Sequence, residues 1–409
     1  MHTAREFFTT RTVGETLAGF RPGRRTPAET VPLAEALHRV PAAPVTARHA
    51  LPGFARSTVD GYAVRAADTY GVSEGLPGYL EVIGAVRMGA GPEVTVGPGT
   101  VASMPTGGVL PPGADAVVMI EYTQEAMPGT IEVVRPVAPG DGVVRADEDA
   151  PPGAVLVPPG RPLRAQDLGM LAAAGVTGVT VHARPRVTVL STGDEVVPPG
   201  TATLRPGQVR DASAVALAAM VTEAGGEPAY GGIVPDDPER LESALRAALA
   251  ASDLVVISAG SSVGARDETA GVVRRLGQPG IWCHGLAIRP GKPTLLADCD
   301  GVPVIGLPGN PRSALVVFRL LGIPLVRLVG GCTVPPAEPV VRARLARDLA
   351  SAAGRLDVVQ VRVRDGTATP IFGLSALLSV LTAADGYVIV PEEATGLDAG
   401  AEVEVTLYR

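Results

Sequence analysis

Lysine and asparagine are all but missing from this chain. Among its 35 Lys and Arg residues only Lys292 is a lysine, and Asn310 is its one asparagine. Cysteine is scarce too: Cys283, Cys299 and Cys332 form no C-x-x-C pair and leave an odd number, which excludes a disulfide framework or a zinc cluster and fits a reducing cytosol. Aromatic residues make up 3% of the sequence, so the cores must be built from Val, Leu, Ala and Ile. Positive charge is not in excess. A net charge of −7 and a pI near 5.4 argue against nucleic acid or a membrane surface as the main partner. No apolar run reaches membrane-spanning length, and the start, Met1 to Phe7, lacks the charged and apolar regions of a signal peptide. The five histidines show neither H-x-x-x-H nor H-E-x-x-H spacing, and no G-x-S-x-G elbow or Walker A loop is present. Histidine-metal, serine-hydrolase and ordinary P-loop chemistry are thereby set aside.

What is present begins with the two rare residues. Lys292 sits in Arg289-Pro290-Gly291-Lys292-Pro293 and Asn310 in Leu307-Pro308-Gly309-Asn310-Pro311, twin Pro-Gly-x-Pro loops. A chain that uses arginine everywhere else yet keeps one ammonium points to a position where a compact charge with three rotatable donors serves and a planar fork does not. Two sole survivors in twin loops indicate an anion-binding site.

At 409 residues, with 50 Gly and 39 Pro, the chain is long enough for two to four domains rich in defined turns. Residues 12–45 read as mostly helical, and 1–45 with 141–182 form a mixed helical, linking domain. Residues 46–140 alternate short β-prone runs with Gly/Pro turns, a β-rich, insertion-like domain. From residue 183 to 330 strands and helices alternate, which predicts a doubly wound parallel sheet with helices on both faces. Residues 331–409 return to short alternating strands and suggest a small β-barrel.

In such a sheet ligands bind beyond the carboxyl ends of the strands. The polar loops of the central domain all come after strands: Ser191–Glu195, Pro235–Asp237, Ser258–Gly264 and Leu307–Asn310. The small residues of the third, with Ser258, Gly260 and Ser262, suit close approach of backbone N–H groups and hydroxyls to a phosphate. Glu195, Asp236 and Asp267 lie on the same side and suit Mg²⁺ between carboxylates and phosphate. Competing structural roles are an N-cap for Asp237 ahead of Pro238, an N-cap for Asp267 and solvation for Glu195. Asp60 and Thr106 fall in the β-rich region, where Asp-Gly is also a common turn.

Together the loops resemble the MoeA family of molybdopterin molybdenumtransferases, also seen as the gephyrin E domain. Ser57-x-x-Asp60-Gly61-Tyr62-Ala63-Val64, Pro105-Thr106-Gly107, Pro112-Gly113-Ala114-Asp115-Ala116-Val117-Val118, Ser191-Thr192-Gly193-Asp194-Glu195, Arg289–Pro293 and Leu307–Ala314 keep that family's order over nearly the whole chain. The resemblance implies molybdenum insertion from molybdate into adenylylated molybdopterin, with Mg²⁺ and release of AMP. It implies catalytic roles for Asp60, Thr106, Lys292 and Asp267, and metal ligation by Glu195, Asp236 and Asp267. It implies substrate or phosphate binding by Ser258, Gly260, Ser262, Arg289, Pro308, Asn310 and Ser375. It also implies a cytoplasmic homodimer with an intersubunit site. The departures are Ala259 for glycine, Val144 for arginine (with Arg145 next to it), Ser213 for asparagine and Gln360 for a second arginine beyond Arg355. A pterin-nucleotide carrier without turnover, and tungstate in place of molybdate, are the alternatives.

Overall fold

The computed structural model describes residues 10–258 and 268–408 in full and the backbone of 263–267. The chain divides into two compact units, one of residues 44–158 and 165–179, the other of 159–164 with the described residues up to Ala43 and from Thr180 onward. Among the described residues no helix is long and apolar enough to cross a membrane.

The opening segment is less helical than its composition suggests. Helix α1 (Val13–Gly19) starts on a capping box in which Thr12 and Glu15 satisfy each other's backbone N–H groups. Beyond it come a strand, Ala28–Pro32, and one 3-10 turn, Leu33–Glu35. Prolines at 22, 27, 32, 41 and 44 leave no run long enough to repay helix nucleation.

The first unit holds a six-stranded sheet of β1 (Gly61–Val64), β2 (Gly78–Ala85), β3 (Thr100–Met104), β4 (Ala116–Met119), β5 (Thr123–Met127) and β6 (Thr130–Val133), in the order β4-β1-β3-β2-β6-β5. Its core is aliphatic: Val64, Leu80, Val101, Val118, Ile131 and Val133 pack together. Helix α2 (Ala165–Ala173) belongs to the same unit.

The second unit contains the α/β layers and the barrel. Strands β7 (Arg186–Thr192), β8 (Glu227–Val234), β9 (Leu254–Ser258), β10 (Pro279–His284), β12 (Leu295–Cys299) and β13 (Val302–Leu307) form a sheet in the order β8-β7-β9-β13-β12-β10; the two-residue strand β11 (Ile288–Arg289) stands outside it. The strands β8, β7, β9 and β13 are parallel, as expected, but β12 and β10 add antiparallel pairings at one edge. The reason is local. Cys299 pairs with Val302 across Asp300 and Gly301, both at positive φ, a two-residue hairpin that leaves no length for a crossover helix.

Helices cover both faces. On one, α3 (Ala212–Glu223), α6 (Pro311–Val317) and α7 (Ile323–Val329) place Leu217, Val221, Val317 and Val326, with Phe318, against Val187, Val189, Leu254 and Val256. On the other, α4 (Pro238–Ala251) and α5 (Val263–Val273) place Leu241, Leu245 and Val273 against Leu190, Val255 and Ile257. The central strand β9 is buried along its whole length. A π turn at Phe318–Gly322 joins α6 to α7 within what the sequence reads as one helix.

The last domain is a closed five-stranded barrel. Strands β14 (Val340–Leu345), β15 (Leu356–Arg364), β16 (Thr367–Pro370), β17 (Gly386–Val390) and β18 (Glu402–Leu407) run β15-β16-β14-β18-β17, and β17 returns to pair with β15. Val361, Val388, Val390, Val403 and Val405 fill it. Strand β11 pairs in parallel with β15, setting Arg289 opposite Asp357. That ladder ties the loop bearing Lys292 to the barrel wall.

Candidate functional site

The twin loops meet. Arg289–Pro293 and Pro308–Asn310, from the α/β side, and Asp348–Asp357 and Ile371–Ser375, from the barrel side, line one cavity of about 1140 Å³. Each wall is fixed by backbone geometry. The Lys292 carbonyl accepts from Leu286 and Thr294 N–H at 2.8 and 2.9 Å, and Thr294 Oγ1 donates to the Gly291 carbonyl at 2.7 Å. Gly291 has φ +123, and a Cβ there would stand 2.3 Å from Val317 Cγ2, so only glycine lets this loop lie on α6. Lys292 emerges exposed into the cleft and makes no ion pair among the described residues.

Asn310 occupies the N-cap position of α6, ahead of Pro311, but makes no side-chain cap bond. Its Nδ2 donates instead to Ser375 Oγ at 2.9 Å, bridging the α/β layers to the barrel loop. Arg355 donates through Nε to Asp357 Oδ1 at 2.9 Å, and Arg289 lies 3.7 Å from Asp357 Oδ2. The basic side chains Arg289, Lys292, Arg312 and Arg355 outnumber the acids Asp348 and Asp357 around the cavity. The arrangement selects an anion.

Of the expected substrate residues, Arg289, Pro308, Asn310 and Ser375 therefore line this cleft with Lys292. Glu195, Asp236 and Ser258 do not. The acids that border the cleft are Asp348 and Asp357, which carry no sequence motif. Ser258 is buried at the end of β9, beside Ser191, whose buried hydroxyl has no partner among the described residues. Gly260, Ser262, the Ala259 departure and the Asp267 side chain lie outside the described residues. The backbone of α5 begins at Val263, so Asp267 stands inside that helix and is not its N-cap.

A second polar cluster forms where β7 and β8 end. Gly193 N–H donates to the Val234 carbonyl at 3.1 Å and Asp236 N–H to Asp194 Oδ1 at 3.2 Å, bringing Asp194, Glu195 and Asp236 together. Burial, then the charges of Asp194 and Glu195, and further that of Glu268, push the Asp236 carboxyl above the usual range. Among the described residues no three or more Asp, Glu, His or Cys side chains are grouped so as to hold a metal ion. The donor set still fits Mg²⁺, which typically takes one or two carboxylates and completes its shell with water and phosphate oxygens. Asp237 is a separate case: Oδ1 accepts from Glu239 and Arg240 N–H at 2.9 and 3.0 Å, capping α4. Asp211 likewise caps α3 and accepts from Tyr230 Oη, beside the buried Ser213.

In the first unit Asp60 immediately precedes β1. Its Oδ1 accepts from Thr106 N–H at 2.7 Å and Thr106 Oγ1 at 3.0 Å, which hold the carboxyl below the ordinary range. Gly61 is required there, because a Cβ would lie 1.9 Å from the Val118 carbonyl oxygen. Elsewhere in this unit Arg145 is exposed and paired with Glu148 at 3.6 Å, while Val144 pairs with Arg56 in a two-residue ladder.

Three charged cleft residues, Asp348, Asp357 and Arg312, escape the sequence reading. Asp357 stands two positions after Arg355 and looks like ordinary strand alternation. Arg312 fills the variable position after Asn310-Pro311; its signal is a charged residue placed where a helix must face a core.

Fold and cleft thus define an α/β protein with a cleft of surplus positive charge lined by loops of the α/β layers and of a β-barrel. Residues 5–175 match the MoeA N-terminal region (domain I and II), 188–328 a probable molybdopterin binding domain and 342–408 the MoeA C-terminal region (domain IV). The chain belongs to the MoeA family. It is similar to the molybdopterin molybdenumtransferase of Bacillus subtilis, 33% identical over 93% of this chain and 90% of that protein. It is also similar to molybdopterin molybdenumtransferase 2 of Mycobacterium tuberculosis, 32% identical over 97% of each. A molybdopterin biosynthesis MoeA protein from Pyrococcus horikoshii superposes with TM-score 0.79 at 38% identity, over 98% of this chain and 100% of its own.

Proposed function

We propose that this chain is an enzyme of molybdenum cofactor biosynthesis that inserts molybdenum from molybdate into adenylylated molybdopterin and releases AMP. In this reading it depends on Mg²⁺ and works in the cytoplasm as a homodimer with an intersubunit site. The observation that carries it is the meeting of the sole lysine and sole asparagine in one cleft with surplus positive charge. Relatives named for the same transfer support it.

Both substrates are anions. Lys292 and Arg289, on loops fixed by backbone bonds, hold phosphate or molybdate oxygens; charge-assisted bonds of this kind are worth about 1.5–3 kcal/mol each. Pro308 shapes the floor, and Asn310 with Ser375 keeps the barrel loop against it. Ser258, Gly260 and Ser262 offer phosphate contacts ahead of α5. Asp60, its carboxylate fixed by two bonds from Thr106, orients hydrogen-bond donors of the pterin. Glu195 and Asp236, with Asp267, would hold Mg²⁺, which would neutralise charge at the phosphates. The missing arginine at 360 does not empty the cleft, because Gln360 is engaged with Arg312.

The test is incubation of the full chain with adenylylated molybdopterin, molybdate and Mg²⁺. Release of AMP that depends on molybdate is expected. Tight pterin-nucleotide binding without AMP release at saturating molybdate supports the carrier reading instead.

A further inference from the structure

Arg312 is 8% exposed, and a guanidinium buried to that degree normally faces a carboxylate. Among the described residues it faces none. Nε donates to Gln360 Oε1 at 2.9 Å, Nη2 donates to the same oxygen, and Nη1 donates to the Gly373 carbonyl at 2.7 Å. Gln360 is fully buried, with Nε2 3.4 Å from Tyr408 Oη. Three of its five N–H donors are met, all by neutral oxygens, and no carboxylate among the described residues neutralises the charge. Burial lowers the Arg312 pKa from its usual value; Tyr408 opposes that shift and the nearby Arg289 adds to it. The side chain lines the anion cleft.

The carbonyl it grips matters as well. Gly373 lies two residues before Ser375, which receives the Asn310 carboxamide. Asn310 and Arg312, both at the start of α6, therefore hold one barrel loop at two points. The same loop is steadied from outside by Arg347, whose guanidinium lies 5.1 Å from the Phe372 ring centroid and whose Nη2 donates to the Pro370 carbonyl at 3.5 Å.

We propose that Arg312 is a positioning residue of the anion cleft: it locks the Gly373–Ser375 loop to the start of α6, and its neutral partner Gln360 leaves its charge available to an oxyanion guest. The loop-locking part stands on the contacts alone; the oxyanion rests on the function proposed above. A glutamate at 360 can make the same bonds to Arg312 yet cancels the charge, which separates the two roles.

The experiment measures molybdate binding by calorimetry on the full-length protein, with amide exchange across residues 371–375. Gln360→Glu is expected to melt no lower than the parent and to bind molybdate about tenfold more weakly, the scale of one charged contact. Arg312→Lys should stay within about threefold of the parent. Arg312→Gln should weaken binding at least as much as Gln360→Glu and speed exchange at 371–375 without changing it in β17 and β18. Unchanged molybdate affinity in a folded Gln360→Glu protein overturns the charge role. Parental exchange at 371–375 in Arg312→Gln, or in Arg312→Ala if that variant does not fold, overturns the loop role. A parent protein that binds no molybdate defeats the proposed function and with it the charge role, whereas the exchange arm still decides the loop role.

Discussion

The two polar clusters of the α/β unit differ in how their charge is treated. Around Lys292 and Asn310 the walls are tied by backbone bonds and neutral partners, and positive charge is left over. Around Asp194, Glu195 and Asp236 the bonds bring like charges together, and the Asp236 carboxyl responds by holding its proton more tightly. Under the proposed function, the first imbalance would receive an anion and the second a cation. Uncompensated charge is costly in a folded protein, and here it lies at the ends of parallel strands, where such folds place ligands.

The largest expected effect separates the clusters outright. Glu195→Gln combined with Asp236→Asn should cut AMP release about a hundredfold at fixed Mg²⁺, yet leave molybdate affinity within about twofold by calorimetry. A matching loss of molybdate affinity would merge the two sites into one. Next comes the loop that presents the lysine. Gly291→Ala forces a left-handed alanine against Val317 and should lower stability by about 2 kcal/mol in urea unfolding.

Asp237 sharpens the contrast between acids, since it adjoins Asp236 but is spent on a helix cap. Asp237→Ala should cost about 1 kcal/mol of stability and leave Mg²⁺-dependent turnover unchanged in the same assay. The smallest effect lies in the other unit. Thr106→Val removes one of the two bonds to Asp60, so the Asp60 pKa should rise toward the ordinary value, about 3.9. Because the folded pKa is depressed, the stabilisation from this pair is present above the unfolded value and lost as pH falls through the folded one. Carboxyl titration by NMR reads both changes.

Much of this was legible in the chain. The strand and helix alternation from Arg186 onward gave the layers, because buried parallel strands read as apolar runs punctuated by polar loops. Lys292 and Asn310 were visible through composition alone. The antiparallel edge was missed, although Asp300-Gly301 is a hairpin signal, because the alternation on either side outweighed a two-residue turn. The barrel wall of the cleft was beyond reach of local pattern. Asn310 meets Ser375 across 65 residues and Arg312 meets Gln360 across 48, and no short-range signal encodes such pairings. Asp348 and Asp357 have the same origin, being brought to the cleft by barrel closure.

The single ammonium carries the greatest share of the proposed chemistry. Molybdate-dependent AMP release by Lys292→Ala, measured beside the parent protein under saturating Mg²⁺, is the most direct trial. A fall of more than about tenfold, over roughly 1.4 kcal/mol of transition-state stabilisation, is predicted; a variant that keeps its rate within about threefold contradicts the role given to Lys292.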